Sequence, residues 1–189
     1  MIINLPLGAS VRLALLAVVC GAATPAVAEE VQFHQAQNEV MVAGDGIVLM
    51  PIDLSGYLPL AGAGISYFRG LRETYGVMVR AGVGLGAHDD IDVGLIHAEV
   101  GLGLTLSAAG RARLRVIPTM GAAFALAKAV DLASGAGWIT AGAEVEGTYW
   151  LGRSVGLTAS LNERLLVSPG DLADCGLLHS AALGVTLRF

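Results

Sequence analysis

A short charged stretch near the middle of the chain has the side chains that could bind a cation. His88, Asp89, Asp90 and Asp92 bring one imidazole and three carboxylates close together along the chain. Carboxylate oxygens are the ligands that hard cations such as Ca²⁺ prefer. The spacing matches no fixed metal-binding motif, and a solvated acidic loop explains the stretch several times better. We therefore expect no metal and no cofactor. If a metal did bind, these four residues would be its candidate ligands.

Two histidines could take part in hydrolysis. His97 and Glu99 would share one face of a strand, where a carboxylate could orient a basic imidazole, but no serine is aimed at them in the sequence. His179 and Ser180 are adjacent, so a strand would place their side chains on opposite faces and keep nucleophile and base apart. We therefore expect no catalysis, with His97 as a hydrogen-bonded interior residue.

The strands that would position these residues are predicted from the alternation of apolar and polar side chains, which repeats every two residues. Between residues 177 and 189, apolar side chains such as Leu187 and Phe189 alternate with polar or small ones such as Gly184 and Arg188. This alternation indicates a strand with one apolar face and one polar face. Turn residues divide the rest of the chain similarly. The predicted strands span residues 45–53, 57–68, 75–87, 93–107, 111–127, 138–151, 154–166 and 177–189.

Strand phase assigns most charged residues of these strands to the polar face. The predicted inner set consists of Arg80, Glu99, Arg113, Arg115, Glu144, Glu146, Arg164 and Arg188. Facing lipid, a basic side chain would cost about 2–4 kcal/mol near the bilayer midplane, whereas inside a barrel it can form an ion pair. A structural network explains the set better than a catalytic or conducting role. Glu163 is the exception, because strict phase puts it on the apolar face, where a bulge or a rim position would account for it.

Glycines also fall on the predicted inner face and supply no side chain to fill it. Either neighbouring arginines lie across them, or a narrow wet cavity remains inside. A thin aromatic girdle is predicted on the outside. Its members are Tyr57, Tyr67, Tyr75, Trp138, Tyr149, Trp150 and Phe189.

The start of the chain has the layout of a cleaved secretory signal peptide over residues 1–28. Arg12 precedes an apolar run, and Ala26-Val-Ala28 provides small residues for cleavage. Residues 29–44 are predicted to be a polar N-terminal segment, and residues 45–189 the barrel domain. The net charge is −5 and Lys128 is the only lysine, so nucleic-acid binding has no electrostatic basis.

Hydrophobic residues make up 54% of the chain, yet they do not form a spanning helix. After residue 28 the longest stretch without a charge is 54–68, interrupted by glycine and proline, whereas a spanning helix needs about 20 apolar residues. The predicted links between strands alternate in length: residues 107–110 and 152–153 are short, and 88–92, 130–136 and 167–176 are longer. Together these features predict an all-β fold, an eight-stranded antiparallel up-and-down transmembrane β-barrel.

The chain resembles the small OmpA/OmpX-like outer-membrane barrels, including the opacity proteins. Residues 182–189 resemble the signal that barrel-assembly machinery reads, with Gly184, Leu187 and Phe189 at matching positions, although Ala182 stands where a large polar residue is usual. The resemblance implies a monomer in the bacterial outer membrane, in contact with its lipid, including lipopolysaccharide. It also implies a structural or surface-interaction role with a side-chain-filled lumen, and it leaves the ligand of the outer loops unknown.

Two other functions stay open at this point. A lipid A-modifying enzyme similar to the PagL or PagP barrels would use the same scaffold. PagL-like enzymes have a serine two positions after a histidine near the carboxyl terminus, whereas Ala181 stands two positions after His179. A narrow small-solute pore is the second alternative, although eight strands enclose little more room than side chains fill.

Overall fold

The computed structural model describes residues 38–51, 56–88, 91–128, 133–169 and 175–189. Within these ranges the chain consists of strands and short connections, and no helix there is long and apolar enough to cross a membrane. The predicted signal peptide lies outside the described residues. The strands are β1 (Asn38–Pro51), β2 (Leu58–Gly70), β3 (Tyr75–His88), β4 (Ile91–Ala109), β5 (Ala112–Lys128), β6 (Ala133–Trp150), β7 (Val155–Val167) and β8 (Cys175–Arg188).

The strands form one closed antiparallel sheet. Each strand pairs with its neighbours in sequence, and β1 also pairs with β8 from Glu39↔Arg188 to Pro51↔Gly176. Closure matters because the edge of an open sheet would leave a row of backbone N–H and C=O groups unpaired. The predicted fold class, an eight-stranded up-and-down barrel, is confirmed.

The two ends of the barrel differ in their connections. At one end, here called the turn end, residues 71–74, 110–111 and 151–154 join the strands. Gly110 adopts a φ of 55° in the tightest of these turns, a conformation that glycine reaches without steric cost. At the other end, here called the loop end, the links are residues 52–57, 89–90, 129–132 and 168–174.

Three of the four loop-end links are shorter than predicted, whereas the first, residues 52–57, is longer than the predicted 54–56. Strands β3 and β4 continue to His88 and from Ile91, and β6 begins at Ala133 rather than at residue 138. The predicted alternation of short and long links is therefore largely lost. Small residues at the start of β6, Ala133-Ser-Gly-Ala136, read as a loop in sequence but pair with β5 in the structure.

The first strand also differs from the prediction. It begins at Asn38, so residues 38–44 of the predicted polar N-terminal segment are part of the barrel wall, while residues 29–37 lie outside the described residues. Alternation was hidden here because two of the inward side chains, Met41 and Ala43, are apolar and fully buried.

Large side chains lie across the inner glycines. A Cβ on Gly103 would come within 2.5 Å of Phe68 Cε2, and one on Gly156 within 3.0 Å of Trp150 Cε3. Of the two predicted arrangements, the structure shows the one in which side chains cover the glycines. Both aromatic rings and arginines cover them. The aromatic girdle is correspondingly thinner than predicted, because Trp150 is completely buried inside and Trp138 packs against an interior cluster.

Candidate functional site: the charged lumen

The structure places all eight charged residues of the predicted inner set on the lumen side of the wall. Each of them has a relative exposure of 7% or less. They lie on β3, β4, β5, β6, β7 and β8, and the regular alternation of these strands turns them inward together. Neighbouring outward residues such as Val79 and Val145 are exposed on the apolar outer face.

The first group of charges lies near the turn end, and we call it the turn-end cluster. Arg113 donates to both carboxylate oxygens of Glu39, at 2.5 and 2.7 Å. Arg115 bridges the two acids of the cluster, donating from Nη2 to Glu39 Oε2 at 2.9 Å and to Glu146 Oε1 at 2.5 Å. Arg188 Nε lies 3.5 Å from Glu39 Oε1. Two carboxylates therefore connect three arginines, from strands on different sides of the barrel.

Aromatic rings complete the turn-end cluster. The guanidinium of Arg188 lies 3.6 Å from the centre of the Trp150 ring, and that of Arg115 lies 3.9 Å from the centre of Phe68. Arg113 faces the same tryptophan at 5.2 Å. Such stacking suits arginine, whose planar and weakly hydrated group tolerates burial against a ring. The arrangement closes the lumen near the turn end with packed side chains.

Two further ion pairs occupy the middle of the lumen. Arg80 on β3 pairs with Glu144 on β6 through contacts of 2.6 Å. Arg164 on β7 pairs with Glu99 on β4, and His97 Nδ1 lies 3.6 Å from the same glutamate. The pairs reach across the barrel, because their strands are not neighbours in the sheet. His97 and Glu99 thus share a face as predicted, but their partner is an arginine and both are buried.

Two acids of the lumen were not predicted from the sequence. Glu39 is 3% exposed within the turn-end cluster, and Asp45 faces inward between the buried residues Ala43 and Ile47. Arg80, His97 and Arg164 interact electrostatically with Asp45. Both acids lie on the part of β1 that was hardest to recognise. The predicted set, with more arginines than acids, contained the signal, since an enclosed excess of positive charge requires more carboxylates.

With these two acids the charges of the lumen balance. Within the described strands the inward arginines number five and the inward carboxylates number five. Moving a charge out of water is costly unless an opposite charge and hydrogen bonds replace the solvent. A neutral network is therefore the arrangement that a closed barrel can enclose. The arginines are Arg80, Arg113, Arg115, Arg164 and Arg188, and the acids are Glu39, Asp45, Glu99, Glu144 and Glu146.

Near the loop end the lumen is apolar instead of charged. A buried cluster fills it, and Leu95, Leu166 and Leu178 in that cluster are 0–1% exposed. Trp138 packs against the cluster from β6. The charged network is thus covered by aromatic rings at one end and by aliphatic side chains at the other. The whole cluster consists of Ile47, Leu60, Leu95, Ala123, Ala125, Leu166 and Leu178.

The other candidate residues have different positions. Asp89 and Asp90 lie outside the described residues, while the β-ladder places Asp92 opposite Lys128. The described part of the chain holds no group of three or more His, Cys, Asp and Glu residues that could bind a metal ion. The proposed assembly residues all lie on β8 or just after it, Gly184 facing inward and Leu187 and Phe189 exposed on the outside.

A first prediction concerns the acid that the sequence analysis missed. Glu39→Gln removes the charge that neutralises parts of three arginines, and breaking buried ion pairs typically costs several kcal/mol. We expect the variant to lower the free energy of unfolding by about 3 kcal/mol. Urea titration of the barrel in lipid vesicles, followed by the fluorescence of the two lumen tryptophans, measures this.

The matched control is Glu73→Gln in the exposed β2–β3 turn, for which we expect a change within about 0.5 kcal/mol. Equal effects of the two substitutions would mean that Glu39 does not hold the turn-end cluster together.

Comparison with known proteins supports the architecture. The fold is similar to Neisserial surface protein A (NspA), with a TM-score of 0.69 and 12% identity over 80% of this chain and 97% of that one. It is also similar to Ail, the attachment invasion locus protein of Yersinia pestis, with a TM-score of 0.61 and 12% identity over 82% of this chain and all of that one. A major outer membrane protein of Thermus thermophilus gives a TM-score of 0.57 at 14% identity, over 82% of this chain and all of that one.

No protein-family model and no curated protein sequence matches the chain. The identities of 12–14% to the three solved structures carry information about the fold alone. The chain therefore has the closed eight-stranded antiparallel fold that is also found in these small outer-membrane barrels.

Proposed function

We propose that this protein is a bacterial outer-membrane barrel whose role is structural, and that it neither conducts solutes nor catalyses a reaction. The observation that carries the proposal is the filled lumen. A neutral network of arginines and carboxylates occupies the middle and the turn end, and an apolar cluster fills the loop end. The outer wall is apolar, with Leu85, Leu183 and Phe189 at least 70% exposed. Such a wall is suited to lipid rather than to water.

A role in surface contacts is secondary in this proposal. Ail, one of the structural neighbours, is an attachment invasion locus protein, and NspA is a surface protein. Here two of the four loop-end links are short, residues 89–90 between β3 and β4 and residues 129–132 between β5 and β6, and the longest, residues 168–174, has only seven residues. A partner outside the membrane would meet hairpin tips rather than long loops. The geometry therefore favours a structural role over a large binding surface.

The enzyme alternative gains no support from the site. His97 is 3% exposed and Glu99 is 2% exposed, and both are enclosed in the lumen with Arg164. A lipid held in the bilayer would have to cross the barrel wall to reach them. A general base must come within hydrogen-bond reach of its substrate, so this pair is suited to structure rather than to lipid A hydrolysis.

The membrane location can be tested by fractionation. We expect the protein in the outer-membrane fraction, with different electrophoretic mobilities before and after heating, because a closed barrel stays folded in mild detergent. Phe189→Ala should reduce the folded fraction in cells several-fold if the terminal residue belongs to the assembly signal. Leu183→Ala is the matched control, since this side chain is equally exposed on the same face, at 72% against 70%. Recovery of unshifted protein from the soluble periplasm would contradict the proposal.

The closed lumen can be tested by electrical recording. We expect no discrete conductance steps after the folded protein is inserted into planar lipid bilayers, because packed side chains fill the interior of an eight-stranded barrel. A general porin inserted in parallel shows that the assay detects channels. Reproducible steps from this protein would favour the narrow pore instead.

A further inference from the structure

Two ionisable residues lie side by side on the outer wall of the barrel. Glu163 on β7 is the direct register partner of His179 on β8, and Nδ1 of the imidazole is 3.7 Å from Oε1 of the carboxylate. Their side chains are 69% and 37% exposed, respectively. The ladders of β7 with β6 and β8 contain no register shift, so Glu163 faces outward by regular alternation and not through the predicted bulge.

The pair lies inside the apolar band of the wall. Leu161 and Ala181 flank it toward the turn end, and Leu165 and Leu177 flank it toward the loop end. A strand tilted by about 40° gains roughly 2.5 Å of height per residue, which puts Glu163 about 20 Å above Val155 at the turn end of β7. The apolar band of such barrels is about 25 Å tall. This step rests on the membrane location proposed above.

Small residues lie on two sides of the pair. Ala143 on β6 is the register partner of Glu163, whereas the partner of His179 on β1 is Val48. Toward the turn end, Ala181 follows His179 on the same face and pairs with Gly46. On Gly44, two residues further along β1, a Cβ would meet nothing within 4 Å. Small residues allow a second protein surface to approach closely within a membrane, so that polar groups can bond across the contact. Acyl chains offer no donor or acceptor to the pair.

The pair is complementary to a second copy of itself. A two-fold axis parallel to the membrane normal, passing between β7 and β8, would bring the Glu163 carboxylate of each copy to the His179 imidazole of the other. Since Nδ1 already lies near the carboxylate of its own chain, Nε2 remains to bond with the other chain. Two equivalent contacts result, as in any isologous interface.

We propose that β7 and β8 form a homodimer interface in the membrane, centred on Glu163 and His179. This assembly differs from the monomer expected from the sequence, where Glu163 was the exception to the strand phase. Its occupant is a second copy of the chain, because the pair supplies both the donor and the acceptor that the interface needs.

The test is fluorescence energy transfer between separately labelled full-length barrels in phosphatidylcholine vesicles, at increasing lipid-to-protein ratio. Protein resistant to extraction at high pH is used, so that failure of membrane insertion is recorded separately from failure to dimerise. We expect the wild type to dimerise, and Glu163→His or His179→Glu alone to weaken self-association about tenfold, the loss expected for two hydrogen bonds between membrane segments.

Exchange of the two residues provides the discriminating control. The double variant Glu163→His/His179→Glu restores a donor opposite each acceptor, and should dimerise within a few-fold of the wild type. Glu163→His mixed with His179→Glu should also associate, because each copy then supplies what the other lacks. If a variant does not fold, Glu163→Gln is used instead and should weaken self-association by a smaller factor. Inserted wild-type protein that remains monomeric, or a mixture that associates no better than either single variant, would overturn the inference.

Discussion

The structure depends on the pairing of its first strand with its last. Within a bilayer, every backbone N–H and C=O must find a partner in the protein, and a sheet satisfies this only when it has no open edge. The ladder between β1 and β8 meets the requirement over nearly the whole of β1. It also determines what the lumen contains, because the first pair of this ladder brings Glu39 beside Arg188, and Glu39 then reaches Arg113 and Arg115 across the barrel.

The same wall must satisfy opposite conditions on its two faces. The outer face is built from apolar side chains, whereas the narrow interior must be filled with side chains. This protein fills it with balanced ion pairs in the middle and at the turn end, and with aliphatic residues at the loop end. The inner charges stabilise the structure only as a complete set, since removal of one partner leaves another charge buried and uncompensated. This closed network is the reason to prefer a structural role over conduction.

Alternation along the chain made most of this architecture predictable. Seven strands and the inward phase of the eight charged residues follow from a period of two, because an apolar outer face and an ion-paired inner face impose that period directly. The start of β1 did not follow, since the inward residues Met41 and Ala43 are apolar like the outward residue Val42, so both faces carry apolar side chains. The predicted ends of the hairpins were also wrong, because residues such as Ser134 and Gly135 have the composition of a loop although they pair with β5.

Contacts across the barrel could not be predicted from the sequence. No spacing in the sequence indicates that Arg80 pairs with Glu144, or that Arg164 pairs with Glu99, because these pairs depend on barrel diameter and strand stagger. The contact between Glu163 and His179 depends similarly on the register of β7 with β8. In sequence only Glu163 was an exception to the strand phase, and the sheet shows that His179 is its neighbour on the outer wall.

The most direct test of the account is the register of the closing ladder, measured by NMR in lipid nanodiscs. Nuclear Overhauser effects between backbone protons of β1 and β8 should link Val42 with Val185 and Ala43 with Gly184, and the β1 amides should exchange slowly with solvent. Rapid exchange of the β1 amides, with no contacts to β8, would show an open sheet. That result would contradict both the closed barrel and the place of Glu39 in its lumen.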